Sequence, residues 1–361
     1  MSHNKLRLIG CVALGGIFLI LTPGTSGSVR QSQTATQAAT PTVLVIHFTG
    51  AANNPILSPG KKGEWDTGSV RFPQVVFDKG TYYLFYGTFQ TMDDPVAIGY
   101  ATSSDGLHWT KFSGNPILGG SGSGFDAFGI TRPVVRVEED GTWTLYYSGI
   151  PAPGRVFGTA IGRATAPAPN GPWTRDKEPV LQIGKQGAWD SPFLFPDSVV
   201  KDGDQYVMYY SAGFMVGRAT SPDGLQWTKY KGPTAESGRY ADSDPVLTLG
   251  AAGSWDSALA WGSSVQHSPN GWEMFYYGGS DLNGGPGIKI GYAYSADGIA
   301  WTKYQNNPII SLDKQDAPFE QFFPTFLLNA DSTYSVYYAV TPGGVFTEIH
   351  LSTGTITRDG Q

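Results

Sequence analysis

The stretch IGYATSSDGLHWTK (98–111) reads as two short strands joined by a tight Ser-Ser-Asp-Gly turn. Three further copies follow: IGRATAPAPNGPWTR (161–175), VGRATSPDGLQWTK (216–229) and IGYAYSADGIAWTK (290–303). Asp-Gly between apolar, β-branched and aromatic residues is a hairpin signal, and recurrence at a fixed period marks a repeat architecture. Other elements keep the same period of about 63 residues. One is Asn54-Pro55-Ile56-Leu57, repeated as Asn115-Pro116-Ile117-Leu118, Glu178-Pro179-Val180-Leu181, Asp244-Pro245-Val246-Leu247 and Asn307-Pro308-Ile309-Ile310. About ten residues after each comes an aromatic–acid pair: Trp65-Asp66, Phe125-Asp126, Trp189-Asp190, Trp255-Asp256 and Phe319-Glu320. An aromatic strand then follows a Gly or Asn turn, at Tyr82–Tyr86, Trp143–Tyr147, Tyr206–Tyr210, Trp272–Tyr277 and Tyr334–Tyr338.

Each repeat thus holds about four short strands, which is the signature of a propeller blade. The expected fold is all-β: a five-bladed β-propeller of four-stranded antiparallel blades over residues 42–361. The fifth repeat ends without a DGxxW strand, while Val43–Phe48 belongs to no repeat. That N-terminal segment is expected to supply the outer strand of the fifth blade and close the ring, hiding edges that would otherwise pair with other chains.

Composition agrees. Aromatics make up 13% of the 361 residues, with 48 Gly and 25 Pro, so aromatic strands and turns are expected rather than helical bundles or disorder. A net charge of −6 without a Lys/Arg cluster disfavours nucleic acid as a partner. Lys5 and Arg7 followed by the apolar run Leu8–Leu21 and small residues read as a signal peptide over 1–28, so the protein is expected to be secreted. The apolar run is too short for a comfortable transmembrane helix, which needs about 20 residues, and no membrane association is expected beyond the signal, an uncleaved N-terminal anchor being the alternative. Residues 29–41 are small, polar and aperiodic and read as a flexible tether. The only cysteine, Cys11, falls inside the signal, so a secreted domain without disulfides must rest on its core. The domain is expected to be a monomer.

The five-fold count, the NPIL…WD…P-x-V-V pattern and IGYATSSDGxxW resemble the five-bladed propeller glycosidases. These comprise the arabinanase/β-xylosidase, invertase/levansucrase and mannoside-phosphorylase groups. The resemblance covers residues 42–361 and implies a carbohydrate-active protein, with carboxylates from several blades at the mouth of the central funnel. Many members carry Asp before the Pro of the first inner strand; here Phe72, Arg132 and Phe323 stand there, and in blade three the acid follows instead (Pro196-Asp197). No catalytic set can therefore be carried over residue by residue. The Ser-x-Asp-Gly-x-x-Trp turn is also similar to the sialidase Asp-box, which has one more residue between Asp and Gly and belongs to six-bladed rings.

Hydrolysis of a glycosidic bond uses two carboxyl groups, one as proton donor and one as base or nucleophile. The catalytic candidates are Glu320, the one Glu in the aromatic–acid series, as general acid, with Asp66 or Asp197 as its counterpart. Asp66 is followed by Arg71, a cation able to hold a carboxylate ionised; Asp197 is unique to blade three. Asp126 and Asp190 are candidate binding residues, although an acid recurring in every blade also suits a structural duty such as capping a turn. Arg71 and Arg132 open inner strands and suit a sugar hydroxyl, a carboxylate or a phosphate. Phe72 and Trp261, with Phe193, Phe195 and Phe322, are candidates for a sugar platform. Scattered histidines suggest no zinc site, Asp281 and Asn283 are a weak Ca²⁺ pair, and no cofactor is expected. A non-catalytic glycan-binding propeller, descended from an enzyme, is the rival to a hydrolase.

Overall fold

The computed structural model describes residues 44–358 except 89–93, 156–157, 159, 192, 233–237, 269–270, 282–288, 312–320 and 343–345, with the side chains of Gln321 and Phe322 also excluded. The expected signal peptide and tether, and Glu320, lie outside the described residues. Among these residues no helix is long and apolar enough to cross a membrane.

Five antiparallel sheets form a propeller, and their first strands line the axis: Arg71–Asp78, Gly129–Val137, Phe195–Asp202, Leu259–Ser268 and Gln321–Leu328. In the fifth blade Leu44–Gly50 pairs with Glu348–Arg358 from Leu44↔Arg358 to Gly50↔Ser352. The ring is closed by the N-terminal strand, as the incomplete fifth repeat requires.

Each NPIL segment belongs to the blade before it. Ile117-Leu118 returns to Ile98, Leu181 pairs with Ile161, Leu247 with Val216, Ile309-Ile310 with Ile290, and Leu57 with Ile349 of the fifth blade. The two-residue DGxxW strands leave half of the third strand's edge open, and NPIL covers the rest. The Asn serves as a surrogate strand residue. Asn115 Oδ1 accepts from Tyr100 N (3.0 Å) while its Nδ2 donates to Tyr100 O (2.8 Å), and Asn307 does the same to Tyr292 and Asn54 to Leu351.

The Ser-x-Asp-Gly turns are held by their own side chains. Ser103 Oγ accepts from Gly106 N, and Asp105 Oδ1 accepts from Leu107 N and His108 N; the turns at Ser221 and Ser295 repeat this pattern. Gly106, Gly224 and Gly298 sit at φ of 73°, 72° and 69°, a region that glycine enters without a Cβ penalty. Their carbonyls then receive a tyrosine hydroxyl from the preceding blade: Tyr337 to Gly106, Tyr146 to Gly224 and Tyr209 to Gly298, at 3.1, 3.0 and 2.7 Å. Trp109, Trp227 and Trp301 meet the same tyrosines edge-on. Phe85 and Phe275 occupy the tyrosine's position where the next blade has no Asp-Gly turn. At the second of these seams, buried Glu273 instead gathers Tyr292, Tyr334 and Arg358 between blades four and five.

Removing one of these buried hydroxyls leaves a carbonyl unsatisfied, so Tyr209→Phe is expected to destabilise the fold by about 1–3 kcal/mol. Phe85→Tyr, which faces a blade lacking the turn, should give no gain. Urea denaturation followed by tryptophan fluorescence measures both.

Candidate functional site at the propeller axis

The acids of the aromatic–acid pairs in blades one to four face their own blades. Asp66 Oδ2 accepts from Tyr86 OH (3.0 Å) and Lys111 Nζ (2.6 Å). Asp126 takes Tyr147 OH (2.9 Å) and lies 3.3 Å from Arg175 Nε. Asp190 pairs with Lys229 (2.6 Å), and Asp256 with Tyr276 (3.1 Å) and Lys303 (2.6 Å). All four acids are buried. The Lys or Arg comes from the short fourth strand. In blades one, two and four the Tyr comes from the second, so those acids tie three parts of one blade together, whereas Asp190 accepts from Ser243 Oγ (3.3 Å) in place of a tyrosine. Burial and the neighbouring carboxylate push the Tyr86 and Tyr276 phenols above their usual range. Asp66, Asp126 and Asp190 thus lie off the axial cavity, in the structural position that their recurrence suggested.

Blade five departs from this pattern. Tyr338, its counterpart of Tyr86, is bonded to Ser352 Oγ at 2.9 Å, and the outer strand LVIHFTG supplies neither Lys nor Arg. The residue paired with the second-strand tyrosine is Gly99, Gly162, Gly217 or Gly291 in the other blades, but His350 here, 3.0 Å from Glu348. Those glycines admit the ring of the aromatic–acid pair in blades one, two and four, where a Cβ would meet Trp65, Phe125 or Trp255.

At the axis, every inner strand breaks register near its start. Blades one, two, four and five skip two residues, with Phe72, Arg132, Gly262 and Phe323 at φ of 57°, 54°, 60° and 52°. Three of these are not glycine, and holding such a residue in the left-handed region costs roughly 1–2 kcal/mol each. Strain of this kind concentrates at functional positions. Blade three skips a single residue, Asp197. These five residues line a cavity of about 30 Å³. That is room for about two water molecules and too little for a sugar ring, so the ring of residues forms a floor.

Arg132 occupies the centre of the floor. Its guanidinium lies 3.7 Å from the Phe195 ring centroid and 3.9 Å from that of Phe323, with Phe72 at 4.9 Å and Trp261 at 5.6 Å. Burial pulls its pKa down to about 10, against the Tyr277 hydroxyl and the Asp197 carboxylate, which favour the charged form. Asp197 Oδ2 accepts from Ser211 Oγ (2.6 Å) and Ser263 Oγ (3.2 Å). Burial pushes its carboxyl up to about 6; the two serines and Arg132 hold it from rising further. Trp261 is 8% exposed and packs against Phe193, Phe214 and Tyr277, so its faces are occupied by protein. Arg71 Nε donates to Thr347 Oγ1 at 2.8 Å, tying blade one to blade five. Sequence reasoning did not find Ser211, Ser263 and Tyr277; the first and third follow directly after the second-strand tyrosines, where the blades differ. No group of three or more His, Cys, Asp or Glu able to hold a metal occurs among the described residues.

The fold is a five-bladed propeller similar to those of solved glycoside hydrolases and of a mannoside-phosphorylase family member. A glycosyl hydrolase from Bacteroides ovatus is similar with a TM-score of 0.68 and 17% identity, over 85% of this chain and 93% of that one. A member of the GH130 family of mannoside phosphorylases, described as containing hydrolases that target β-1,2-mannosidic linkages in Candida mannan, gives 0.64 and 18%, over 85% and 93%. In sequence, a β-1,2-mannobiose phosphorylase of Thermoanaerobacter sp. is 28% identical over 114 residues, 28% of this chain and 37% of that protein. An uncharacterized protein of Mycobacterium tuberculosis is 28% identical over 159 residues, 42% of this chain and 49% of its own length. The chain therefore spans less than half of the curated relatives it matches. No protein-family model matches it.

Two outcomes are expected. Lys229→Met strands the buried Asp190 charge and should lower stability by about 3–5 kcal/mol, as read by denaturant midpoint. Asp197 titrates near 6 in the folded chain and near 3.9 unfolded, so the folded state holds more protons between these values. Stability should then fall as pH rises from about 4 to about 6, and Asp197→Asn should flatten that slope.

Proposed function

We propose that this protein is a secreted glycoside hydrolase that takes a poly- or oligosaccharide above the axial floor and cleaves it with the carboxyl groups of Asp197 and Glu320. The observation that carries this reading is Asp197. Among the described residues it is the only carboxyl group lining the axial cavity, and its pKa of about 6 suits a proton donor. Glu320 is the second carboxyl because the outer strand of blade five does not offer the Lys or Arg that pairs with each of the other four acids, and because it directly precedes the strand bearing Phe323. Asp197 then serves as the acid and Glu320 as base or nucleophile, reversing the order expected from the sequence. Asp66, Asp126 and Asp190 are assigned to stability, and Phe72 to the floor beneath the sugar.

A second reading, a non-catalytic glycan-binding propeller, is favoured by one specific observation: four of the five recurring acids are locked into ion pairs within their own blades. A panel of plant, fungal and bacterial glycans, assayed for reducing ends and for binding, separates the two. Hydrolysis of at least one glycan is expected, with Asp197→Asn and Glu320→Gln each losing about 100-fold or more in kcat. In the wild type, kcat/KM should fall above pH 6. Glycan binding without turnover would support the second reading.

A further inference from the structure

Arg132 is 7% exposed, and its Nη1 is buried without a hydrogen-bond partner. Phe195 and Phe323 stack against the guanidinium at 3.7 and 3.9 Å and Tyr277 interacts with it, so the Nη1 part of its in-plane edge remains for a ligand. The carboxylate in the same cavity, Asp197, spends Oδ2 on Ser211 and Ser263, and Arg132 appears in no ion pair among the described residues. Arg71 adds a second positive charge that bears on Arg132. A buried cation with an unmet donor edge is unfavourable until an oxyanion meets it, and the planar fork of arginine matches a carboxylate. The cavity's two-water size fits the two oxygens of one carboxylate, with the rest of a sugar ring above the floor.

We propose that the ligand is an acidic glycan, and that the carboxylate of a uronic acid residue enters the axial cavity to meet the edge of the Arg132 guanidinium. This rests on the glycan reading above and names its substrate class. Arg132 is the specificity-determining residue, and Phe195 and Phe323 hold its plane. Ser211 and Ser263 both donate to Asp197 Oδ2, which offsets the negative charge that this oxygen presents to the sugar carboxylate.

The test uses isothermal titration of the full-length mature protein with methyl glucuronoside and methyl galacturonoside, against methyl glucoside and methyl galactoside, and with inorganic phosphate. At least one uronoside is expected to bind 10-fold or more tightly than its neutral counterpart. Arg132→Met, which keeps a long side chain between the two phenylalanine rings, should abolish that preference. Circular dichroism and the thermal midpoint of the variant establish that it folds; should it not, Arg132→Lys, which keeps the charge but loses the planar fork, replaces it and should reduce the preference. Equal affinity for acidic and neutral sugars, binding of neither, or phosphate binding as tightly as the uronosides would overturn the proposal. Uronoside binding without cleavage of any uronic-acid glycan leaves the proposal standing and removes the hydrolase reading. Cleavage of neutral glycans undiminished in Arg132→Met does the reverse.

Discussion

The structure depends first on the pairing of Leu44–Gly50 with Glu348–Arg358. Five blades hold one another by side-chain packing and a few hydrogen bonds, so an open ring would leave one seam unpaired and one sheet edge bare. Joining the two ends of the described chain within one sheet makes the ring closed and gives the inner strands a fixed radius. With the radius fixed, five register breaks bring five residues to one level on the axis, and the candidate site is whatever those five residues are.

Two kinds of position follow from the repetition. Where several blades solve the same problem, the residue recurs and its duty is structural: the acid that pairs with the fourth strand's Lys or Arg, the Asn that extends the outer edge, the tyrosine that meets the next blade's turn. Where a blade departs, the departure has a local cause. Phe replaces Tyr at the two seams lacking an Asp-Gly turn. His350 replaces glycine, and Tyr338 turns to Ser352, in the one blade whose outer strand comes from the N-terminus and carries no lysine. Chemistry is sought at the departures, which is why Asp197 and Glu320 stand apart from Asp66, Asp126 and Asp190.

Much of this was legible in the residues. Period, strand count and the orphan Val43–Phe48 segment gave the five blades and the closure, because hairpin turns and strand alternation are local. Which blade each NPIL segment joins was not legible, since sequence order does not tell whether a segment opens the next sheet or finishes the last. Asp197 and Arg132 were found by their break from the X-Pro pattern. Their surroundings were not, because Ser211, Ser263 and the rings of Phe195 and Phe323 reach the axis from separate blades across long stretches of chain. Trp261 looked like a platform because an aromatic near an inner-strand start can face either the funnel or its neighbours. Only packing against Phe193, Phe214 and Tyr277 decides that.

The most direct measurement is a crystal structure of residues 42–361 with an acidic oligosaccharide bound, reading the separation of the Asp197 and Glu320 carboxyl groups across the sugar. A separation of about 5–5.5 Å, for a retaining enzyme, or about 6.5–9.5 Å, for an inverting one, with the sugar carboxylate on Arg132, is the predicted result. A glycan seated away from the axis, or Glu320 bonded within its own blade like Asp66, would contradict it.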